Sequence, residues 1–112
     1  MKFRMSSNVA VRTKNMTKAL DFYSRVLGFP IRSDNPALAD LDAFPLNLFI
    51  IEDQKINGPV MELFVDDLEQ ARDELVVQGC KVLRWREKGH DCYLQDPFGI
   101  IFNLWESGDT NQ

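Results

Sequence analysis

The sequence predicts an α+β protein built from two βαβββ modules. Three observations carry that prediction. A strand-then-helix unit recurs after 51–52 residues, a glycine follows each helical pattern, and short alternating segments separated by turn-forming residues follow each unit. A chain of 112 residues makes one domain by size, and 45% apolar with 27% charged residues is the composition of a folded protein.

In the first module, Val9 to Thr13 alternates apolar and other residues, as a half-buried strand does. Asn15 offers an N-cap side chain. Met16, Ala19, Leu20, Tyr23, Val26 and Leu27 recur at helical spacing, and Gly28 takes the C′ position. Strand segments are then expected at Phe29–Arg32, Leu38–Leu41 and Leu46–Glu52, with a turn over Asp42–Pro45; the stretch Ser33–Pro36 has no readable boundary. In the second module Met61–Val65 is the strand and Asp67 the N-cap. Leu68, Ala71, Leu75 and Val76 form the helix stripe, and Gly79 is the stop. Strands Lys81–Trp85, Asp91–Gln95 and Ile100–Trp105 follow, with turns at Glu87–Gly89 and Asp96–Gly99. Strand and helix starts lie 52 residues apart (Val9 and Met61, Asn15 and Asp67), the stop glycines 51 (Gly28 and Gly79), so the second helix is shorter by one residue. The reading is a single domain over 1–112, with modules 1–53 and 59–106, a linker at Gln54–Pro59 and a frayed polar tail at Ser107–Gln112.

A net charge of −4 argues against a protein that tracks phosphates on nucleic acid, because such proteins concentrate Lys and Arg on one face. No apolar run approaches the ~18–20 residues needed to cross a bilayer. Residues 1–12 carry Lys2 and Arg4 without a continuous hydrophobic stretch, so neither a secretory leader nor a membrane partner is expected, and the protein is placed in the cytoplasm. Cys80 and Cys92 lack the close pairing of a zinc or redox motif and are read as small thiols kept reduced.

Three stretches carry a resemblance: Phe22–Gly28 (Phe-Tyr-x-x-Val-Leu-Gly), Val65–Ala71 (Val-Asp-Asp-Leu-Glu-Gln-Ala) and Asp96–Glu106 (Asp-Pro-Phe-Gly-Ile-Ile-Phe-Asn-Leu-Trp-Glu). With the doubled βαβββ pattern, the chain resembles the glyoxalase, bleomycin-resistance and extradiol dioxygenase superfamily, the vicinal oxygen chelate fold. The resemblance implies a cupped mixed sheet with helices on the outer face and a ligand held against the inner one.

Period-2 alternation sorts the strand faces. Val9, Val11, Met61, Leu63, Val65, Cys92, Leu94, Ile100, Phe102 and Leu104 belong under the helices. The opposite faces mix aromatic, charged and amide side chains, and the expected ligand-binding cavity is Asn8, Arg12, Glu62, Phe64, Asp91, Tyr93, Asn103 and Trp105. Metal-dependent members carry a His or similar ligand ahead of the first strand's apolar run, its equivalent in the other module, and a Glu four residues beyond the Asp-Pro-x-Gly glycine. The corresponding residues here are Asn8, Val60 and Asn103, with the fourth near Asn47. A Val cannot coordinate and an amide oxygen is a weak neutral donor, so no metal and no other cofactor is expected. His90 falls in a turn, where a hydrogen-bonded or exposed histidine is the plain reading.

Without a metal, Glu62 and Asp91 are the residual general bases and Arg12 the residual electrophile, although an Arg12–Glu62 pair is the simpler use of those charges. The residues favour a non-catalytic binder of a small organic ligand, planar or cationic, stacked on Trp105 and Tyr93 near the carboxylates. Two alternatives stay open: a divergent glyoxalase-like lyase, isomerase or dioxygenase, and an interaction module whose cavity is vestigial. A homodimer is expected, since small sheets leave residues such as Phe64 and Trp105 in need of cover.

Overall fold

The computed structural model describes residues 3–86 and 91–107. The chain divides into two compact units, Ser7–Val60, and Met1–Ser6 with Met61–Gln112. The first unit holds the main part of β1 (Arg4–Thr13), helix α1 (Met16–Asp21) continuing as a π-helical turn (Phe22–Val26), β2 (Ile31–Asn35), β3 (Leu38–Ala43) and β4 (Leu46–Glu52). Its strands lie in the order β1-β4-β3-β2, with β1 and β4 parallel and the other pairs antiparallel. The second unit holds the main part of β5 (Gly58–Val65), α2 (Leu68–Val77), β6 (Lys81–Arg84), β7 (Asp91–Gln95) and β8 (Ile101–Glu106), in the order β5-β8-β7-β6. The βαβββ pattern therefore occurs in each unit.

Both expected N-caps form. The Asn15 side chain accepts from the Lys18 N–H at 3.1 Å, and the Asp67 side chain from the Gln70 N–H at 3.0 Å. The helix of the first unit is longer, and the π-turn is where the extra residue goes: the Leu27 N–H donates to the Phe22 carbonyl five residues back, at 3.0 Å. A wider turn shifts the phase of the residues after it. Met16, Ala19, Leu20 and Tyr23 pack on buried Ala39, Leu41, Leu48 and Ile50, whereas Val26 and Leu27, assigned to the same stripe by spacing, are rotated out and exposed. Gly28 ends the helix at φ +83°, a conformation other residues adopt reluctantly. The Phe29 N–H then donates to the Tyr23 carbonyl at 3.1 Å and Phe29 packs into the core, so the next strand starts beyond Pro30 rather than at Phe29. That strand runs through the unreadable stretch as far as Asn35, whose side-chain oxygen accepts from the Ala37 and Leu38 N–H groups, both at 3.0 Å, and turns the chain.

In the second unit Val65, Leu68, Ala71, Cys92, Leu94 and Leu104 are buried together, with Leu63, Leu75 and Trp85 against them. The strand faces sort as alternation predicts, except that Ile100 lies in the turn and is exposed, and Val76 on the helix is exposed as well. Strands β1 and β5 begin earlier than the alternation showed, at Arg4 and Gly58. Ser107, assigned to a frayed tail, is held: its N–H donates to the Val65 carbonyl at 2.8 Å and its carbonyl accepts from Arg4 Nη2 at 3.2 Å. The turn Glu87–Gly89, His90 and the tail beyond Ser107 lie outside the described residues.

Candidate functional site

The hairpins that enter β4 and β8 repeat one device. Asp42 Oδ1 accepts from the Phe44 N–H at 3.1 Å; Asp96 Oδ1 accepts from the N–H groups of Phe98 and Ile100, both at 2.9 Å. Gly99 closes the second hairpin at φ +99°. Asp42-x-Phe44 and Asp96-x-Phe98 are 54 residues apart. The strand ends agree with that spacing. The Asp53 N–H donates to the Thr13 carbonyl at 3.0 Å and the Ser107 N–H to the Val65 carbonyl at 2.8 Å; the acceptors are 52 apart and the donors 54. The counterpart of Asn103 in the first unit is therefore Phe49. Asn47, near which the family resemblance puts the fourth position, corresponds at this spacing to Ile101. The 51–52-residue spacing of the strand–helix units does not carry to the final strands, because it has widened to 54 by Asp42 and Asp96, where the last hairpins begin.

On the face of the first sheet opposite α1, Asn8 pairs in register with Asn47, Ala10 with Phe49 and Arg12 with Ile51. Arg32 completes this face. It is the bulged residue between Ile31 and Ser33, where β2 slips against β3, and a bulge re-aims its side chain. Arg32 Nη2 donates to Asn47 Oδ1 at 2.7 Å and to the Leu41 carbonyl at 3.1 Å, with Nε 3.4 Å from Asp40. Asn47 Nδ2 in turn donates to Asn8 Oδ1 at 2.9 Å.

Arg12 pairs with Asp53 at 2.8 Å, with side chains only 12% and 5% exposed. Asp53 also accepts from the N–H groups of Lys55 and Ile56, at 2.9 and 3.0 Å, and so anchors the segment leading to β5. Asp53 follows β4, the strand beside β1, and that position brings its carboxylate to Arg12.

On the face of the second sheet opposite α2, Asp91 pairs in register with Trp105 and Tyr93 with Asn103. Glu62 and Phe64 share a face of β5 by alternation. Directly paired side chains on one face stand ~4.5–5.5 Å apart at Cβ, so a carboxylate lies beside an indole. Trp105 is 40% exposed, Tyr93 only 6%, and the Arg84 guanidinium lies 5.7 Å from the Tyr93 ring centroid. Asn103 Oδ1 is buried without a hydrogen-bond partner among the described residues. Trp85 belongs to the helix side, with the Arg72 guanidinium 4.8 Å from its ring centroid. Burial pushes the Cys92 thiol up to about 11, with nearby Arg72 pulling down and Asp91 pushing up; Cys80 is raised by burial and by Asp96.

Each unit thus gathers its own share of the eight candidates, Asn8 and Arg12 in the first, the other six in the second. Arg32, Phe49 and Asp53 escape a reading of the sequence, although Arg32 and Arg84 stand 52 residues apart like the rest of the repeat. A separate groove of about 900 Å³ beside α1, reached by Lys14, Leu20, Ile31, Asp34 and Glu52, includes none of the eight. Among the described residues no group of three or more His, Cys, Asp or Glu is placed to hold a metal ion.

The family model for the Glyoxalase/Bleomycin resistance protein/Dioxygenase superfamily matches residues 7–104. No curated protein sequence matches the chain. Among solved structures, a hypothetical protein from Bacillus halodurans C-125 superposes with a TM-score of 0.60 at 13% identity, over 100% of this chain and 99% of its own. A glyoxalase/bleomycin resistance protein/dioxygenase superfamily member from Vibrio splendidus 12B01 gives 0.59 at 15% identity, over 95% and 100%. An extradiol ring-cleaving dioxygenase from B. fuscum gives 0.60 at 19% identity, over 93% of this chain but 32% of that longer one. Such distant likenesses speak to the fold alone. The doubled βαβββ unit, the repeated hairpins and the match over 7–104 together place the chain in the Glyoxalase/Bleomycin resistance protein/Dioxygenase superfamily, with the vicinal oxygen chelate fold.

Proposed function

We propose that the protein is a small-molecule-binding member of its superfamily that does not use a divalent metal, and that its ligand is planar or cationic. The observation that carries the metal part is the chemistry at the four ligand-equivalent positions. Phe49 and Val60 offer no donor atom, Asn103 offers a neutral amide, and the Asn8 oxygen already accepts from Asn47 at 2.9 Å. The residues at these positions do not fit the metal.

The binding part rests on the Asp91–Trp105 pair, with Tyr93, Asn103, Glu62 and Phe64 on the same sheet. A half-exposed indole beside a carboxylate suits a flat cation, gaining stacking and charge attraction together. Titrating the protein with N-methylpyridinium while following tryptophan emission tests this. Quenching that is lost in Trp105→Leu and weakened about tenfold in Asp91→Asn is the expected result; emission that never shifts sinks the reading. Calorimetry with Zn²⁺, Ni²⁺, Mn²⁺ and Fe²⁺ tests the other half, and stoichiometric tight binding of any of them refutes it. The protein is also proposed to be a homodimer, on the exposure of Phe44 (90%) and Phe98 (89%). Light scattering at micromolar concentration reads that directly.

A further inference from the structure

In the second unit, β7 and β8 place Asp91 opposite Trp105, Tyr93 opposite Asn103 and Gln95 opposite Ile101, on the face away from α2. The intervening Cys92, Leu94 and Leu104 are buried on the helix side. One atom on the other face is unusual: Asn103 Oδ1 is buried and has no hydrogen-bond partner among the described residues. An amide oxygen loses its contacts with water on burial, and an acceptor left without a donor is destabilising until an N–H or O–H reaches it. Donors nearby are directed elsewhere. Gln95, on the same face, turns its amide N–H to the Gly99 carbonyl at 3.2 Å, and the Arg84 guanidinium lies 5.7 Å from the Tyr93 ring centroid.

We infer that Asn103 Oδ1 is the acceptor for an N–H of the ligand, so that the molecule this sheet takes is a flat cation protonated on nitrogen rather than a quaternary one. This rests on the small-molecule reading above and narrows its ligand class. Three features of the second unit set that class. An amide oxygen can only accept, so the group that meets it must donate. Asp91 stands diagonal to Asn103 across the β7–β8 ladder, about 7–8 Å away, and Glu62 lies on β5, the strand beside β8; a donor carrying positive charge is favoured there. Trp105, two residues along β8 and 40% exposed, offers an indole on which a flat ring stacks. A protonated ring nitrogen answers all three. A quaternary cation stacks on the same indole and meets the same carboxylate, but it covers the oxygen without supplying a hydrogen, and the acceptor stays unpaired.

A matched pair of probes tests this. 1-Methylimidazolium and 1,3-dimethylimidazolium are flat cations that differ by one N–H, and they are compared at a pH where both are charged. The first is expected to bind about tenfold tighter by tryptophan quenching, the worth of one hydrogen bond from a charged donor. In ¹⁵N-labelled protein it should also move the Asn103 side-chain amide resonances, and the dimethyl compound should move them less. Asn103→Leu keeps a similar size and removes the acceptor, so the preference for the N–H probe should vanish while stacking remains. Asn103→Asp keeps an oxygen acceptor in place and should retain the preference; it also provides the comparison if circular dichroism shows that the leucine variant does not fold. Equal affinity for the two probes overturns this inference and leaves the binder standing. Silence of both probes in quenching and in the amide resonances overturns both. A preference that survives in Asn103→Leu puts the N–H against another group and overturns the role given to Asn103.

Discussion

Asp53 and Cys92 show how single side chains are committed by their surroundings. Asp53 is 8% exposed and satisfies one guanidinium and two backbone N–H groups, so removing its carboxylate strands all three. Asp53→Ala is expected to destabilise the protein by about 3–5 kcal/mol, the range for breaking a buried ion pair from one side, read as a lower urea midpoint at unchanged m-value. Cys92 is fully buried and its thiol is raised to about 11. In the native state it therefore keeps its proton where an unfolded thiol, near 8.5, has lost it. The native state binds the extra proton between those values, so stability is constant below about 8.5 and falls as the pH rises toward 11. Urea midpoints measured across that interval should decline for the wild type and decline less for Cys92→Ala. Native Cys92 should also resist alkylation at pH 8, because the thiolate is the reactive form.

The elements are joined by contacts that no single segment encodes. Helix α2 starts on two acids, its own Asp67 and also Glu106 from the end of β8, whose carboxylate accepts from the Leu68 N–H at 2.8 Å. The last residue of the Asp-Pro-Phe-Gly-Ile-Ile-Phe-Asn-Leu-Trp-Glu stretch is thus a helix cap. Glu106→Ala should cost about 1 kcal/mol by thermal unfolding, with Glu106→Gln in between. At the far end of the same helix, Gly79 sits at φ +106° and a Cβ there would stand 3.2 Å from Pro97 Cγ in the β7–β8 hairpin. Gly79→Ala therefore combines backbone strain with a tight contact, and about 1–2 kcal/mol of destabilisation is expected. Gly28, its counterpart at φ +83°, has nothing within 4 Å of such a Cβ and should lose only the backbone part. The difference between the two variants measures the hairpin contact.

For the molecule, the repeat is the organising fact, and its irregularities are informative. The spacing is 52 at the strands that lead into the helices, 51 at the stop glycines and 54 at the final strands. The π-turn absorbs the first change, and the second is complete by Asp42 and Asp96, where the last hairpins begin. At a spacing of 54 the position equivalent to Asn103 is Phe49, which offers no donor atom. A member of a superfamily that includes dioxygenases has, at these four positions, two amides and two apolar side chains. A chelator wash should consequently leave its melting temperature unchanged, since only a ligand that binds the native state raises it.

The chain's own pattern was enough for the two modules, both N-caps, both stop glycines, the β4 and β7 boundaries and the strand faces under the helices. These are local consequences of side-chain periodicity, capping chemistry and backbone sterics, which act over a few residues. Candidate residues such as Asp91 and Trp105 could be named for the same reason, because alternation assigns a face. What alternation cannot supply is a neighbour in the next strand. The fold brought Asp53 to Arg12, paired Asn8 with Asn47, set Arg32 on the face through a bulge and rotated Val26 and Leu27 out of the core. Each of those depends on register, which is settled when whole strands trade backbone hydrogen bonds and bury one face, and a shift of one residue reverses every side chain.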